Sequence, residues 1–227
     1  MYLCSNTWPD IQYAIHQCAR FSHNPRASHE QADTPHLPVS ARNTNSRYDR
    51  QTRCQDATKC YVDTDFAGLW NVEHEQDPVC VKSRTGFLLT LGGCPLLWVS
   101  KLQTEVALST TEAEYIAMSQ AMRELIPMRT LLQQVGTTLH LDFAKPAIVH
   151  SKVFEDNDGD LKLATAPNIS PRTKHIAVKY HFFREAVGEG KGIQIMKIDT
   201  AEQMADIFTK GLPMTQFQYL RKKLIGW

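Results

Sequence analysis

The chain has 227 residues, with 25 Lys and Arg against 24 Asp and Glu and a formal net charge of +1. That length holds one domain of about 150 residues with a smaller segment beside it, enough to bury its own core. The near-balance of charge excludes a uniformly basic nucleic-acid binder, so any basic footprint has to be local. The six cysteines form no C-x-x-C pair and no zinc-finger spacing, and are expected as free thiols in a reducing compartment. Met1 to Cys4 lacks the basic and apolar regions of a signal peptide, and Gly86 to Val99, the most apolar stretch, is broken by Gly92, Gly93 and Pro95. A cytoplasmic or nuclear location without a membrane is the expectation.

From Pro9, the residues Ile11, Ala14, Ile15, Cys18 and Phe21 recur at helical spacing, with Asp10 suited to a first turn. This amphipathic helix ends near Asn24-Pro25, and no partner for its apolar face stands nearby in the sequence. Residues 33–58 are polar and without apolar periodicity, and read as a disordered linker. Cys60 to Gly68 is a strand with a carboxylate, Asp63, at its middle. Residues 83–91 and 95–101 are the two arms of a hairpin turned by Gly92-Gly93.

Ser109-Thr110-Thr111-Glu112 fits a capping box and opens a long helix with Tyr115, Met118, Met122, Leu125 and Leu132 as its buried stripe and a kink at Pro127. Residues 147–154 form a strand that delivers Glu155-Asp156-Asn157. Separated from the hairpin strands by a helix, it is free to run parallel to the strand of Asp63. A second helix is predicted over about 174–187, a fifth strand over 192–198, and a helix capped near Thr200 that brings in Asp206.

Four carboxylates thus fall at the ends of strands and starts of helices. A charge in a central strand is costly unless something binds it, and a divalent cation would. Hydrolysis of a phosphodiester is served by two metal ions about 3.5–4 Å apart, and magnesium selects hard oxygen ligands. Asp63 would bridge the ions, Glu114 and Asp156 would complete one site, and Asp206 would hold the second. The plain alternative for Glu114 and Asp206 is a first-turn carboxylate serving the helix dipole. Asp65, Glu112, Glu155 and Asp158 are the neighbouring candidates.

From about Cys60 to Trp227 the chain resembles the ribonuclease H domain of copia-type retrotransposon polyproteins. The motifs are Tyr-Val-Asp-Thr-Asp-Phe-Ala-Gly (61–68), Ser-Arg-Thr-Gly-Phe (83–87), Ser-Thr-Thr-Glu-Ala-Glu-Tyr (109–115), Glu-Asp-Asn (155–157), Thr-Lys-His-Ile (173–176), Tyr-His-Phe-Phe-Arg-Glu (180–185) and Ala-Asp-Ile-Phe-Thr-Lys-Gly-Leu-Pro (205–213). The resemblance implies an α/β, ribonuclease H-like fold: a five-stranded mixed sheet, three antiparallel strands then two parallel, flanked by helices. It also implies cleavage of RNA in an RNA/DNA hybrid, dependence on two Mg2+ ions with Mn2+ as a substitute, and ligands at Asp63, Glu114, Asp156 and Asp206. No counterpart of the histidine loop of cellular ribonucleases H stands before Asp206.

Residues 1–32 resemble the tail of the preceding reverse transcriptase domain, with Trp8 where that family has arginine. A reverse transcriptase domain acting in trans is therefore an expected partner. Residues 33–59 depart from the family. Back-translated with permitted codons and read one base later, residues 33–48 can give I-P-R-I-C-R-Y-L-Q-G-T-R-T-A-G, which restores a family motif. The hypothesis is a frameshift that opens near Asp33 and closes before Cys60; a genomic sequence that does not encode this peptide in the shifted frame refutes it. Arg172, Lys174, His175, Lys179 and Arg184 concentrate positive charge after the third acidic position, where a hybrid's phosphates would need it. The competing expectations are a catalytically inactive retroelement remnant or nucleic-acid-binding fragment, and a DNA-cutting integrase on the same fold, whose three-carboxylate pattern the motifs do not match.

Overall fold

Strand β1, Thr58–Asp65, buries Cys60 and Val62 completely while Lys59 and Tyr61 keep partial exposure, the period-two signature of a strand with two packed faces. The computed structural model describes residues 2–22, 58–68, 70, 79–140, 150–157, 182–188 and 190–226. Antiparallel β2, Arg84–Leu91, flanks β1 on one side and turns through Gly92 and Gly93 (φ 57° and 83°) into β3, Cys94–Leu102. Both turn residues need the left-handed region, which glycine enters without steric cost. On its other side β1 pairs in parallel with β4, Ser151–Glu155, and β4 with β5, Ile193–Lys197. The order β3-β2-β1-β4-β5 is the mixed sheet expected from the sequence, with β1 at its centre.

The two sheet faces are covered by different helices. Helix α3, Thr110–Thr138, lays Tyr115, Ile116, Met118, Met122 and Leu125 on Val62, Phe87, Leu89 and Val153. Helix α4, Met214–Ile225, packs Leu220, Leu224 and Ile225 with Leu88, Trp98 and Phe208 on the opposite face. Successive residues Phe87, Leu88 and Leu89 divide between the two cores, and each large side chain so buried contributes roughly 1.5–3 kcal/mol. Asp63 follows Tyr61 by two and projects with it toward the α4 side.

Several boundaries differ from the sequence reading. β1 begins at Thr58, inside the expected linker, because Thr58 and Lys59 already pair with Leu91 and Thr90 and with Ser151 and Lys152; the rest of the linker lies outside the described residues. β4 is Ser151–Glu155 rather than 147–154. At α3 the Ser109 hydroxyl accepts from Glu112 N at 3.1 Å, but the Glu112 carboxylate accepts from Leu108 N rather than from Ser109. Glu114 is thereby in the second turn, not the first. The helix runs through Pro127 to Thr138, and Leu132 is only half-buried, since this end extends beyond the sheet and leaves Leu131 and Leu139 exposed.

The helix expected over about 174–187 is, in its described part, a 3-10 turn, Phe182–Ala186. Asp206 lies not on an α-helix but on the second of two short 3-10 turns, Thr200–Glu202 and Met204–Phe208, capped by Asp199 and Gln203. Helix α4 was not foreseen, although Pro213 before it, Lys222 and Lys223 in its last turn and Gly226 (φ 91°) after it are ordinary helix limits.

The amino-terminal helices, α1 (Tyr2–Asn6) and α2 (Gln12–Phe21), are not partnerless, contrary to the sequence reading. Helix α2 lies against β3 and the 204–208 turn of the same chain, and the Pro9–Ile11 turn between the two helices lies against α4. Trp98 Nε1 donates to the Cys4 carbonyl at 2.8 Å, and Arg221 Nε reaches Asp10 Oδ2 at 2.8 Å. Arg84 donates to Gln17 Oε1 at 3.4 Å and stands 5.4 Å from the Tyr13 ring centroid.

Candidate active site

Asp63 is 2% exposed, in the last turn of the pleat before β1 ends. A carboxylate there must be held by donors or a cation. Both are supplied by one segment: the Thr209 hydroxyl donates to Asp63 Oδ2, and Lys210 Nζ stands 3.4 Å from each of its oxygens. Burial nevertheless pushes the Asp63 carboxyl up to about 7; Lys210 and Thr209 oppose the rise, while Asp206 and Asp156 add to it.

Asp206, 4% exposed, pairs with the same ammonium at 3.0 Å. Its pKa is also raised, first by burial, against the pull of Lys210. Burial alone would lower the Lys210 ammonium, but Asp63 and Asp206 more than offset it and its pKa rises. The turn that carries Asp206 is fixed by Gln203, whose side-chain amide donates to Val62 O at 2.8 Å and Phe154 O at 3.4 Å. The β1–β4 ladder ends at Tyr61 and Phe154, so Gln203 plugs the gap where the two strands part.

Continued by two residues, the register that pairs Tyr61 with Phe154 sets Asp156 level with Asp63. Asp156 is half-buried, accepts from Thr200 Oγ1 at 2.9 Å, and its charge is felt at Asp63, Asp206 and Lys210. Its neighbour Glu155 is fully buried instead, with Oε1 accepting from the backbone N–H groups of Asp156 and Asn157. Glu114 is buried on α3, across the sheet from the 204–210 segment. Gln103 ties this helix end to the sheet, donating to Thr64 Oγ1, Thr85 Oγ1 and Ala113 O at 3.3, 3.2 and 2.8 Å.

The structure therefore joins Asp63 and Asp206 directly through Lys210 and sets Asp156 beside them, while Glu114 is buried on α3, in the layer across the sheet. Among the described residues no group of three or more His, Cys, Asp and Glu side chains stands ready to hold a metal ion. The donor chemistry does fit one: the acidic groups are carboxylates alone, as a hard divalent cation prefers, and Asp63 and Asp206 are buried with a single ammonium between them. Of the basic residues expected at the substrate, Arg172, Lys174, His175 and Lys179 lie outside the described residues. Arg184 is half-buried on the Phe182–Ala186 turn, next to Phe183, which packs on Tyr115 with ring centroids 5.4 Å apart.

No family model matches the chain. Along its whole length it is 35% identical to a retrovirus-related Pol polyprotein from transposon TNT 1-94 of Nicotiana tabacum, over 237 aligned residues that make up 16% of that protein. It is 33% identical over 218 residues, 96% of the chain and 14% of the relative, to the corresponding polyprotein from transposon RE1 of Arabidopsis thaliana. The chain is homologous to one segment of retrotransposon Pol polyproteins. It spans about a sixth or less of the length of these relatives. Among solved structures, LC11-RNase H1 in complex with RNA/DNA hybrid aligns with TM-score 0.43 and 15% identity, covering 66% of this chain and 92% of that one. Among the described residues no helix is long and apolar enough to cross a membrane.

Within this Pol-related segment, sequence reasoning selected the acidic residues and missed those that hold them. Thr209 and Lys210 sit inside the same motif as Asp206, and their spacing of three and four places them one turn on, within its reach. Gln203 and Gln103 carry no such signal, since a glutamine that bonds across strands looks like any polar residue in a loop. In the sequence Gly86 reads only as part of a strand. A Cβ there would stand 2.5 Å from Thr209 Cγ2 and 2.9 Å from Phe208 Cβ.

Proposed function

We propose that the chain is a ribonuclease H-type nuclease that hydrolyses the RNA strand of RNA/DNA hybrids with divalent metal ions, Mg2+ first and Mn2+ as a substitute. Asp63, Glu114, Asp156 and Asp206 would be the ligands. The observation that carries the reading is the meeting of Asp63 and Asp206, buried carboxylates 143 positions apart in sequence, beside Asp156, in a chain aligned end to end with retrotransposon Pol polyproteins.

Bound at such carboxylates, metal ions activate a water and neutralise charge on the phosphate. The chain's own residues supply position. Thr209 fixes the rotation of the Asp63 carboxylate. Gln203 holds the Asp206 turn against the parting strands, and Asp156, half-buried at the end of β4, stands where water and a phosphate can reach it. Gln103 anchors the helix end that carries Glu114. Arg184, with Arg172, Lys174, His175 and Lys179, would contact the hybrid's phosphates, and the ribose 2′-hydroxyls would distinguish its RNA strand. A reverse transcriptase domain supplied in trans would be the partner that makes the hybrid.

Incubation of the purified chain with a labelled hybrid and Mg2+, beside duplex DNA, tests the reading: loss of the RNA strand alone supports it. The second reading is a folded, non-catalytic fragment, favoured by the Lys210 ammonium lying between Asp63 and Asp206. Hybrid binding without cleavage at any Mg2+ or Mn2+ concentration would establish that one.

A further inference from the structure

Resting on that metal-site reading, we propose that Lys210 is a resident counter-ion of the metal-free chain, and that a divalent cation binds by displacing its ammonium from between Asp63 and Asp206. Lys210 Nζ is 3.4 Å from both oxygens of Asp63 and 3.0 Å from Asp206 Oδ1. An ammonium equidistant from both oxygens of one carboxylate, and paired to a second, fills the space between them that a cation shared by the two would need. The two carboxylates are almost fully buried, so without a cation their charges would face each other in a medium that screens poorly.

Lys210 is built to leave. Its side chain is 36% exposed while those of Asp63 and Asp206 are 3% and 6%, so its flexible stem has a path to water that the carboxylates lack. Its backbone N–H bonds to Asp206 O at 3.2 Å, which keeps the residue tethered at the site when the ammonium swings out. One ammonium stands within ion-pair distance of both Asp63 and Asp206, so a single positive charge faces two buried carboxylates. A doubly charged ion makes up the deficit that a single ammonium leaves. Thr209, in contrast, donates a hydrogen bond to Asp63 Oδ2 and can stay in place in both states. The exchange explains why the described carboxylates are drawn toward an ammonium instead of standing as an empty metal cage.

The test compares the full chain with Lys210→Met and Lys210→Arg. Mg2+ binding is measured by titration calorimetry and melting temperature with and without Mg2+, with Asp63→Asn as the site control. The expected result is that Lys210→Met melts lower than the native chain without metal, binds Mg2+ at least tenfold more tightly, and recovers the native melting temperature at saturation. Lys210→Arg should keep metal-free stability and bind no more tightly than the native chain. Equal or weaker Mg2+ binding by a folded Lys210→Met overturns the exchange while leaving the metal site standing. Binding to the native chain that Asp63→Asn does not alter sinks the metal site itself.

A second readout needs no variant. Reductive methylation of Lys210 in the native chain, followed by mass spectrometry, should run several-fold faster in saturating Mg2+ than without it. An unchanged rate contradicts displacement.

Discussion

Gly86 stands directly opposite Asp63 in the β1–β2 ladder, and its missing side chain is the space into which Thr209 and Phe208 pack. The backbone at Gly86 is ordinary strand, so the requirement is for room rather than conformation. Ser100, its partner on β3, donates to Phe208 O at 2.5 Å and fixes the same segment from the other side. Gly86→Ala therefore forces the 205–209 turn away from the sheet. The expected cost is about 1–3 kcal/mol, the range for overpacking, seen as a lower denaturation midpoint. Because Thr209 moves with the turn, Mg2+-dependent hybrid cleavage should fall further than the lost stability explains.

Gln203→Ala removes the amide that spans Val62 O and Phe154 O, both left without that donor inside the sheet. Unmet buried acceptors cost about 1–3 kcal/mol. The variant should fold, melt at lower temperature, and show faster amide exchange along β4 than along β2, which hydrogen–deuterium exchange can read.

The amino-terminal helices belong to the folded unit. Asp10 and Arg221 join α4 to the first turns with side chains 8% and 15% exposed, and Trp98 bonds to Cys4 O. Asp10→Ala removes a charge-assisted hydrogen bond from a largely buried guanidinium, with an expected loss of about 1.5–3 kcal/mol. Removal of residues 1–22 should expose Trp98 and shift its fluorescence to longer wavelength. An unchanged spectrum and melting temperature would show the tail to be a passenger.

The pH dependence follows from Asp63. Its folded-state pKa, about 7, lies above the unfolded value of 3.8, so between these the native chain holds a proton that the unfolded chain has released. Its contribution to metal-free stability is greatest below about pH 4 and is lost as pH rises through 7. Asp206 shifts in the same direction. Metal binding requires both to be ionised, so the rise in melting temperature caused by Mg2+ should grow from pH 5.5 to pH 8, as differential scanning fluorimetry can follow.

The sheet was legible because its strands include short apolar runs such as Phe87-Leu88-Leu89 and its turn carries Gly92-Gly93, both local signals. The four acidic positions stood out for a different reason: a carboxylate within or beside an apolar run is expensive, and the sequence displays that conflict openly. What was missed is long-range or depends on geometry. Gln103 and Gln203 act through contacts 10 to 141 positions away. The 3-10 geometry around Asp206 is set by Gln203 wedging between strands, which no periodicity reports. The partners of α2 are β3 and the 204–208 turn, more than 70 residues downstream.

The most direct measurement is cleavage of an RNA/DNA hybrid, labelled on its RNA strand, by the purified chain in Mg2+ beside a folded Asp63→Asn variant. The expected result is Mg2+-dependent loss of the RNA strand with the native chain, with duplex DNA untouched and activity down at least a thousandfold in the variant. A native chain that is folded by circular dichroism yet leaves the hybrid intact in both Mg2+ and Mn2+ would contradict it.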